Sequence, residues 1–368
     1  MAVDGLPTIG TQPLPGAPRL AFWTLKNETT LILWRWDPAS DGGLQRWFDI
    51  TLKAGSYFSS EPTSVLVSPD GRFVAVNEHA VGDPASHDLV RVLDASGHVL
   101  LTSPDGMPRT IDMAWAPDSS KLALAAVPVP WMVLTFNSSG TIATKTYQLS
   151  TDAAYRLIGF TAKATAIIGY ESTGEAEFWD KPVSLDLATG KITTIASFPG
   201  GMRSNTSSDR QGTYPLDRIN ETNGDVLAIS GGAKGPAAWV VKSATSETPV
   251  GVDTKAELAW SGDTIIASGA VPVATASPPA GWVVSTVKPG KPATLTPIVE
   301  LGPGPYVSTM ASIRDGFVLL GLLQLRGWPV QPGWSEAVLA AASSGRTAVA
   351  VAKGSGDLWF AGWLPPAP

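Results

Sequence analysis

The chain has 368 residues, 44% of them hydrophobic and 16% charged, with a net charge of −6. Its 37 glycines and 31 prolines fit a strand-and-turn protein with ample apolar surface for a core, and the absence of cysteine excludes disulfides and zinc–thiolate sites. There is no block of lysine or arginine, which argues against nucleic acid or anionic lipid as a partner, and no apolar run reaches the roughly 18 residues of a membrane span.

Residues 1–18 are rich in proline and glycine and read as an N-terminal tether, with neither the charged head nor the apolar core of a signal peptide. Such a start fits a cytoplasmic chain, or an exported domain whose leader or anchor has been removed. The second is the expectation, an extracytoplasmic protein, and the lack of thiols is compatible with an oxidising compartment.

Three strands follow, at 19–25, 30–36 and 44–52, the last two joined by a turn over Asp37 to Gly43. Strand patterns then recur in fours. The first set is 62–69, 73–79, 89–95 and 98–104; the second is 111–117, 121–127, 131–137 and 141–149. The third is 155–161, 165–172, 182–188 and 191–199, and the fourth is 214–220, 225–231, 237–243 and 248–253. The fifth is 256–261, 264–270, 281–288 and 293–301, and the sixth is 307–314, 316–324, 335–343 and 346–352. One orphan strand remains at 357–363, before a short tail at 365–368.

Within these sets a plan repeats. Val67-Ser-Pro-Asp-Gly-Arg-Phe-Val-Ala-Val76 and Trp115-Ala-Pro-Asp-Ser-Ser-Lys-Leu-Ala-Leu124 are each a strand, a Pro-Asp turn and a second strand, and Leu258–Ser268 is a looser copy. Repetition of short strands at a spacing of tens of residues predicts propeller blades. The expected fold is a single seven-bladed β-propeller of four-stranded antiparallel blades over residues 19–364, its ring closed when 357–363 joins the three N-terminal strands as their inner strand. Closure leaves only short, protected sheet edges.

The two motif copies resemble the Ser-Pro-Asp-Gly blade motif of WD-repeat-like propellers, the TolB type in particular. The resemblance implies the fold and leaves activity open, since that group includes partner-binding periplasmic proteins, peptidase propeller domains and membrane-anchored ectodomains. The Trp-Asp and Gly-His dipeptides of true WD repeats are not repeated here.

Lettering the strands A to D from the centre outward puts the A–B and C–D turns on one face and the B–C and D–A connections on the other. The first set is short; the second carries the insertions 77–88, 171–181, 200–213, 270–280 and 325–334. Long loops cost ordering entropy without aiding the sheet, so their concentration on one rim predicts that the rim binds a ligand. The candidate residues there are Glu78, His79, Asp83, His87 and Asp88, a histidine–carboxylate group; Glu175, Glu177 and Trp179, an acidic loop with an aromatic end; Arg203, Arg210 and Arg326, able to grip carboxylates; and Trp131, Trp328 and Trp334, read as possible exposed anchors. The histidine segment lacks the spacing of a metal-ligand pair, and with Gly82 and Pro84 it reads as a solvated polar turn. Trp115, Trp260 and Trp363 fall at equivalent inner-strand positions and are expected to pack between blades.

No Gly-x-Ser-x-Gly elbow, His-Glu-x-x-His motif, phosphate loop or calcium loop is present. The expectation is therefore a monomeric, non-enzymatic binding domain for a protein or small ligand, with no catalytic residues, metal, cofactor, nucleic-acid partner or membrane-inserted segment. A hydrolase or lyase with carboxylates and histidine at the channel mouth is the alternative, and a structural module of a larger membrane-anchored protein is a third.

Overall fold

The computed structural model describes residues 13–40, 43–57, 64–80, 87–103, 107–108, 110–126, 130–137, 142–150, 153–172, 181–195, 220, 223, 225–232, 235–243, 246–252, 257–271, 281–289, 293–304, 306–324, 334–341 and 349–366. Regular structure among them is strand, arranged in antiparallel meanders.

The chain opens with β1 (Arg19–Asn27), β2 (Thr30–Trp36) and β3 (Gln45–Thr51). The short β4 (Ser56–Tyr57) leads to a sheet of β5 (Val65–Val67), β6 (Phe73–Ala80), β7 (His87–Asp94) and β8 (Val99–Thr102), with β9 (Met107–Pro108) on the flank of β7. Two four-stranded sheets follow: β10 (Thr110–Trp115), β11 (Lys121–Ala126), β12 (Trp131–Phe136) and β13 (Ile142–Tyr147), then β14 (Ala154–Phe160), β15 (Ala166–Ser172), β16 (Lys181–Asp186) and β17 (Ile192–Thr194). The next sheet has β18 (Val226–Gly232), β19 (Gly235–Ser243) and β20 (Ser246–Pro249); the inner strand expected at 214–220 lies outside the described residues except for Asn220. β21 (Glu257–Ser261), β22 (Thr264–Val271), β23 (Gly281–Lys288) and β24 (Thr294–Leu301) form another four-stranded sheet. Last come β25 (Tyr306–Arg314), β26 (Phe317–Gln324), β27 (Trp334–Ala341) and the long β28 (Val349–Leu364).

β28 serves two sheets. Residues 349–353 and Leu358 pair with β27, and residues 359–364 turn to β1, with Trp23 opposite Trp359 and Arg19 opposite Leu364. The C-terminal strand thus lies on the N-terminal one, where the orphan-strand argument put it. The seam is apolar: Trp23 stacks on Trp359 at 5.4 Å, and Ala21, Leu33, Val67, Val76 and Ala361 share one buried cluster. The end of the expected tether packs into a neighbouring cluster, with Leu20, Phe22 and Phe360. Leu14 and Ala17 are buried, and the Leu14 amide donates to Pro38 O at 2.8 Å.

Neighbouring sheets touch through their inner strands. Trp115 on β10 donates its indole N–H to Leu66 O on β5 at 3.2 Å, and Trp363 donates to Ser312 Oγ on β25 at 2.8 Å. The A–B turns share one closure, a backbone bond from residue i to the carbonyl five on: Ser68 to Phe73, Ala116 to Lys121, Thr161 to Ala166 and Asn220 to Asp225. The third residue after the first is left-handed at Gly71, Ser119 and Ala164, with φ of 73°, 60° and 51°. That conformation suits glycine and strains the other two. Ser119 has a compensation, because its hydroxyl accepts the Asp70 amide of the preceding sheet at 3.0 Å.

Candidate functional site

Residues 77–79 and 88 belong to strands, which corrects the reading of 77–88 as a solvated loop. β6 keeps the strand expected at 73–79 and adds Ala80, and β7 begins two residues before the expected 89, in register as Asn77↔Val90, Glu78↔Leu89 and His79↔Asp88. Successive residues of a strand face opposite ways, so this polar run divides between the two sides of its sheet. The polar ends are stable in strand form because buried partners await them on both sides.

On one side, the fully buried Glu78 carboxylate pairs with the Arg91 guanidinium and accepts the Lys53 amide at 2.8 Å, while Arg91 Nη2 donates to Thr51 O at 2.8 Å. This ion pair fastens the segment after β3 to β6 and β7.

On the other side, His79 Nδ1 donates to Asp88 Oδ1 at 2.6 Å. Asp88 Oδ2 accepts the Thr110 amide at 2.6 Å and Asn77 Nδ2 at 3.2 Å, and Asn77 Nδ2 also reaches Thr110 O at 2.9 Å. The Tyr57 ring lies 5.4 Å from the imidazole. A carboxylate accepts only, so this contact puts a proton on Nδ1, and in the neutral imidazole Nε2 is then the acceptor. Among the described residues, three atoms of the group are buried without a partner: His79 Nε2, Asn77 Oδ1 and Thr110 Oγ1. An imidazole held by a carboxylate with its far nitrogen unspent can accept a ligand's proton or hydrogen bond. Among the described residues, no three or more histidine, aspartate or glutamate side chains gather as a metal site.

Trp131 and Trp334 are buried, at 2% and 4% exposure, which corrects their reading as exposed anchors. Each lies across a glycine of a B strand: a Cβ on Gly169 would come 2.4 Å from Trp131 Cη2, and one on Gly321 would come 2.0 Å from Trp334 Cε2. Trp131 meets Tyr155 edge to face, and Trp334 meets Phe22 the same way. The signal was in the sequence, since a glycine inside an apolar strand marks a close approach. Asp83, Glu175, Glu177, Trp179, Arg203, Arg210, Arg326 and Trp328 lie outside the described residues, and His87 opens β7.

Residues that the sequence reading missed complete the picture. Asp112 on β10 grips Arg156 on β14 through two bonds, at 2.7 and 2.8 Å, and accepts the Leu157 amide at 3.1 Å. Glu78, His79, Asp88, Asp112, Glu257 and Glu336 are all buried, and all sit at the B–C and D–A ends of their strands. Of the described buried ionisable residues, Asp225 alone is at the opposite end. The connections at the polar end include 81–86, 173–180, 272–280 and 325–333, although β1–β2 and β18–β19 turn tightly there.

No protein-family model matches the sequence, and no curated protein matches it. Solved structures do. An uncharacterized protein, lmo1340 from Listeria monocytogenes EGD-e, is 9% identical with a TM-score of 0.50, over 93% of this chain and 93% of its own. Dihydro-heme d1 dehydrogenase NirN, solved in complex with DHE, is 12% identical with a TM-score of 0.50, over 98% of this chain and 78% of its own. The fold is a β-propeller. TolB from Acinetobacter baumannii aligns at 12% identity over 94% of this chain and 83% of its own, with a TM-score of 0.39. At these identities the likeness concerns the propeller scaffold alone.

Proposed function

We propose that this propeller is a non-enzymatic binding domain, a ring of seven blades closed by β28, which takes a protein or small ligand on the face of its B–C and D–A connections, outside the cytoplasm. The observation that carries the reading is the unspent polar group at that face: among the described residues, His79 Nε2, Asn77 Oδ1 and Thr110 Oγ1 are buried without partners. Buried polar atoms are ordinarily bonded, and a ligand's donors and acceptors would satisfy them. Ligand sites are concave and orient their ligand with a few placed polar groups, which is what these strand ends offer.

A photo-crosslinking residue at Asp83, between β6 and β7, and another at Ser96, in the opposite turn, test the face. Crosslinks to a common partner are expected from position 83 and not from 96; the reverse pattern defeats the proposal. The His79–Asp88 pair also favours a second reading, a hydrolase using His79 as base. In that case a hydrolytic activity would be present and lost in His79→Gln, whereas the binding reading expects none in either protein.

A further inference from the structure

The unspent atoms of the His79 group have a defined polarity. Asn77 Nδ2 meets two acceptors, Asp88 Oδ2 at 3.2 Å and Thr110 O at 2.9 Å, which fixes the amide with Oδ1 left over. In the neutral imidazole Nε2 is an acceptor as well, since Nδ1 is spent on Asp88. The Thr110 hydroxyl can accept or donate. Asn77, His79 and Thr110 are only 5%, 5% and 1% exposed, and among the described residues none of the three atoms has a partner.

Charge and shape narrow the chemistry. Among the described residues no lysine or arginine pairs with the buried Asp88 carboxylate, and Arg91 is spent on Glu78 on the other side of the sheet. Tyr57, opposite His79 on β4, is the open member of the group. It is 49% exposed, with its ring 5.4 Å from the imidazole and tilted 36° to it. The described group thus offers acceptors, negative charge and an aromatic surface, and it has no cationic donor for a carboxylate or phosphate.

We propose that this group takes a guanidinium, the side chain of an arginine on a partner protein. The inference rests on the B–C and D–A face being the binding face. A guanidinium presents a fork of N–H donors in one plane, which matches a set of acceptors such as Asn77 Oδ1 and His79 Nε2. Its charge offsets that of Asp88, and its flat face stacks on an aromatic ring. The half-exposed Tyr57 ring lies beside the buried imidazole, and a change of its rotamer opens the way in.

The test is calorimetric titration of the full chain with N-acetyl-arginine amide, beside its citrulline and lysine counterparts and free arginine. Saturable one-to-one binding of the arginine amide is expected. The citrulline compound has the shape without the charge, and the lysine compound the charge without the fork; each should bind at least roughly tenfold more weakly. Free arginine adds a carboxylate and should bind no more tightly than the amide. Thr110→Val removes the hydroxyl and keeps the backbone amide that Asp88 holds, while Tyr57→Leu removes an exposed ring. Each should weaken the arginine amide about fivefold. Should Thr110→Val fail to fold, the surface change Tyr57→Leu carries the same test. No saturable heat with the arginine amide overturns the proposal, and so does citrulline or lysine binding as tightly, or free arginine more tightly. Arginine binding that ignores both substitutions lies elsewhere and overturns it too. The crosslinks at positions 83 and 96 are read separately: a partner caught from 83 without arginine binding keeps the face and removes the guanidinium.

Discussion

Trp334 opens β27, a place where a side chain ordinarily meets solvent, yet its ring is among the buried ones because Gly321 has no Cβ to keep it out. Replacing Trp334 with alanine is expected to cost about 3–5 kcal/mol, as for other large-to-small changes in a core. Denaturant unfolding checks this; an unchanged midpoint would return Trp334 to the surface. Gly321→Ala is expected to lose about 1–3 kcal/mol from the other side of the contact, by overpacking. The polar residues obey the same logic of partners. Asn77, Glu78 and His79 read both as the end of a strand and as the start of a polar insertion, because they are consecutive and hydrophilic, but each strand residue answers to its own side of the sheet. Glu78 finds Arg91, and His79 finds Asp88. Those partners come from another strand, which a local pattern does not reveal.

Turns are the elements whose chemistry is most local, and they were the most legible. Ser68-Pro-Asp70-Gly71 and Ala116-Pro-Asp118-Ser119 are tight A–B turns, as expected. Partial burial pushes the Asp70 and Asp118 carboxyls up, but the hydrogen bonds they accept outweigh it and both titrate below the usual value. In the C–D turn after β7, the Ser96 hydroxyl and then the His98 amide lower the Asp94 carboxyl to about 2. The folded value is below the unfolded one, so this stabilisation is complete above the ordinary aspartate value of 3.8 and is lost as pH falls towards 2. Asp94→Ala should therefore be less stable than the parent at neutral pH, and its stability should fall less steeply between those two values; Asp94→Asn, which keeps a turn acceptor, should stay near the parent at neutral pH. Thermal melts across the acid range decide the matter, and parallel curves for parent and alanine variant would contradict it. Long-range features were less legible. The β6–β7 extension, the Asp112–Arg156 bridge and the glycine slots under Trp131 and Trp334 each join residues distant in sequence.

At the scale of the molecule, the chain's two ends meet. β28 leaves β27 and reaches β1 without a break, so the last strand of the sequence is both the flank of one sheet and the inner neighbour of another. A repeat protein divides its stability among neighbour contacts, but a ring adds one contact that ties the first element to the last. Here that contact is large. Phe22, Phe360 and Trp363 form one aromatic group, Trp23 and Trp359 a second, and the Arg19 guanidinium holds Pro365 O at 2.8 Å. Ending the chain at Gly356 would strip β1 of this partner and expose Ala21, Phe22 and Trp23, all fully buried in the intact protein. The expected outcome is a fall of many degrees in melting temperature, with loss of a single cooperative transition and exposure of apolar surface to a hydrophobic dye. Trp359→Ala, which keeps the strand and removes one ring of the stack, should lose about 3–5 kcal/mol and remain cooperative. A truncated protein that melts in one transition at the parent temperature would mean that the seam contributes nothing to the fold.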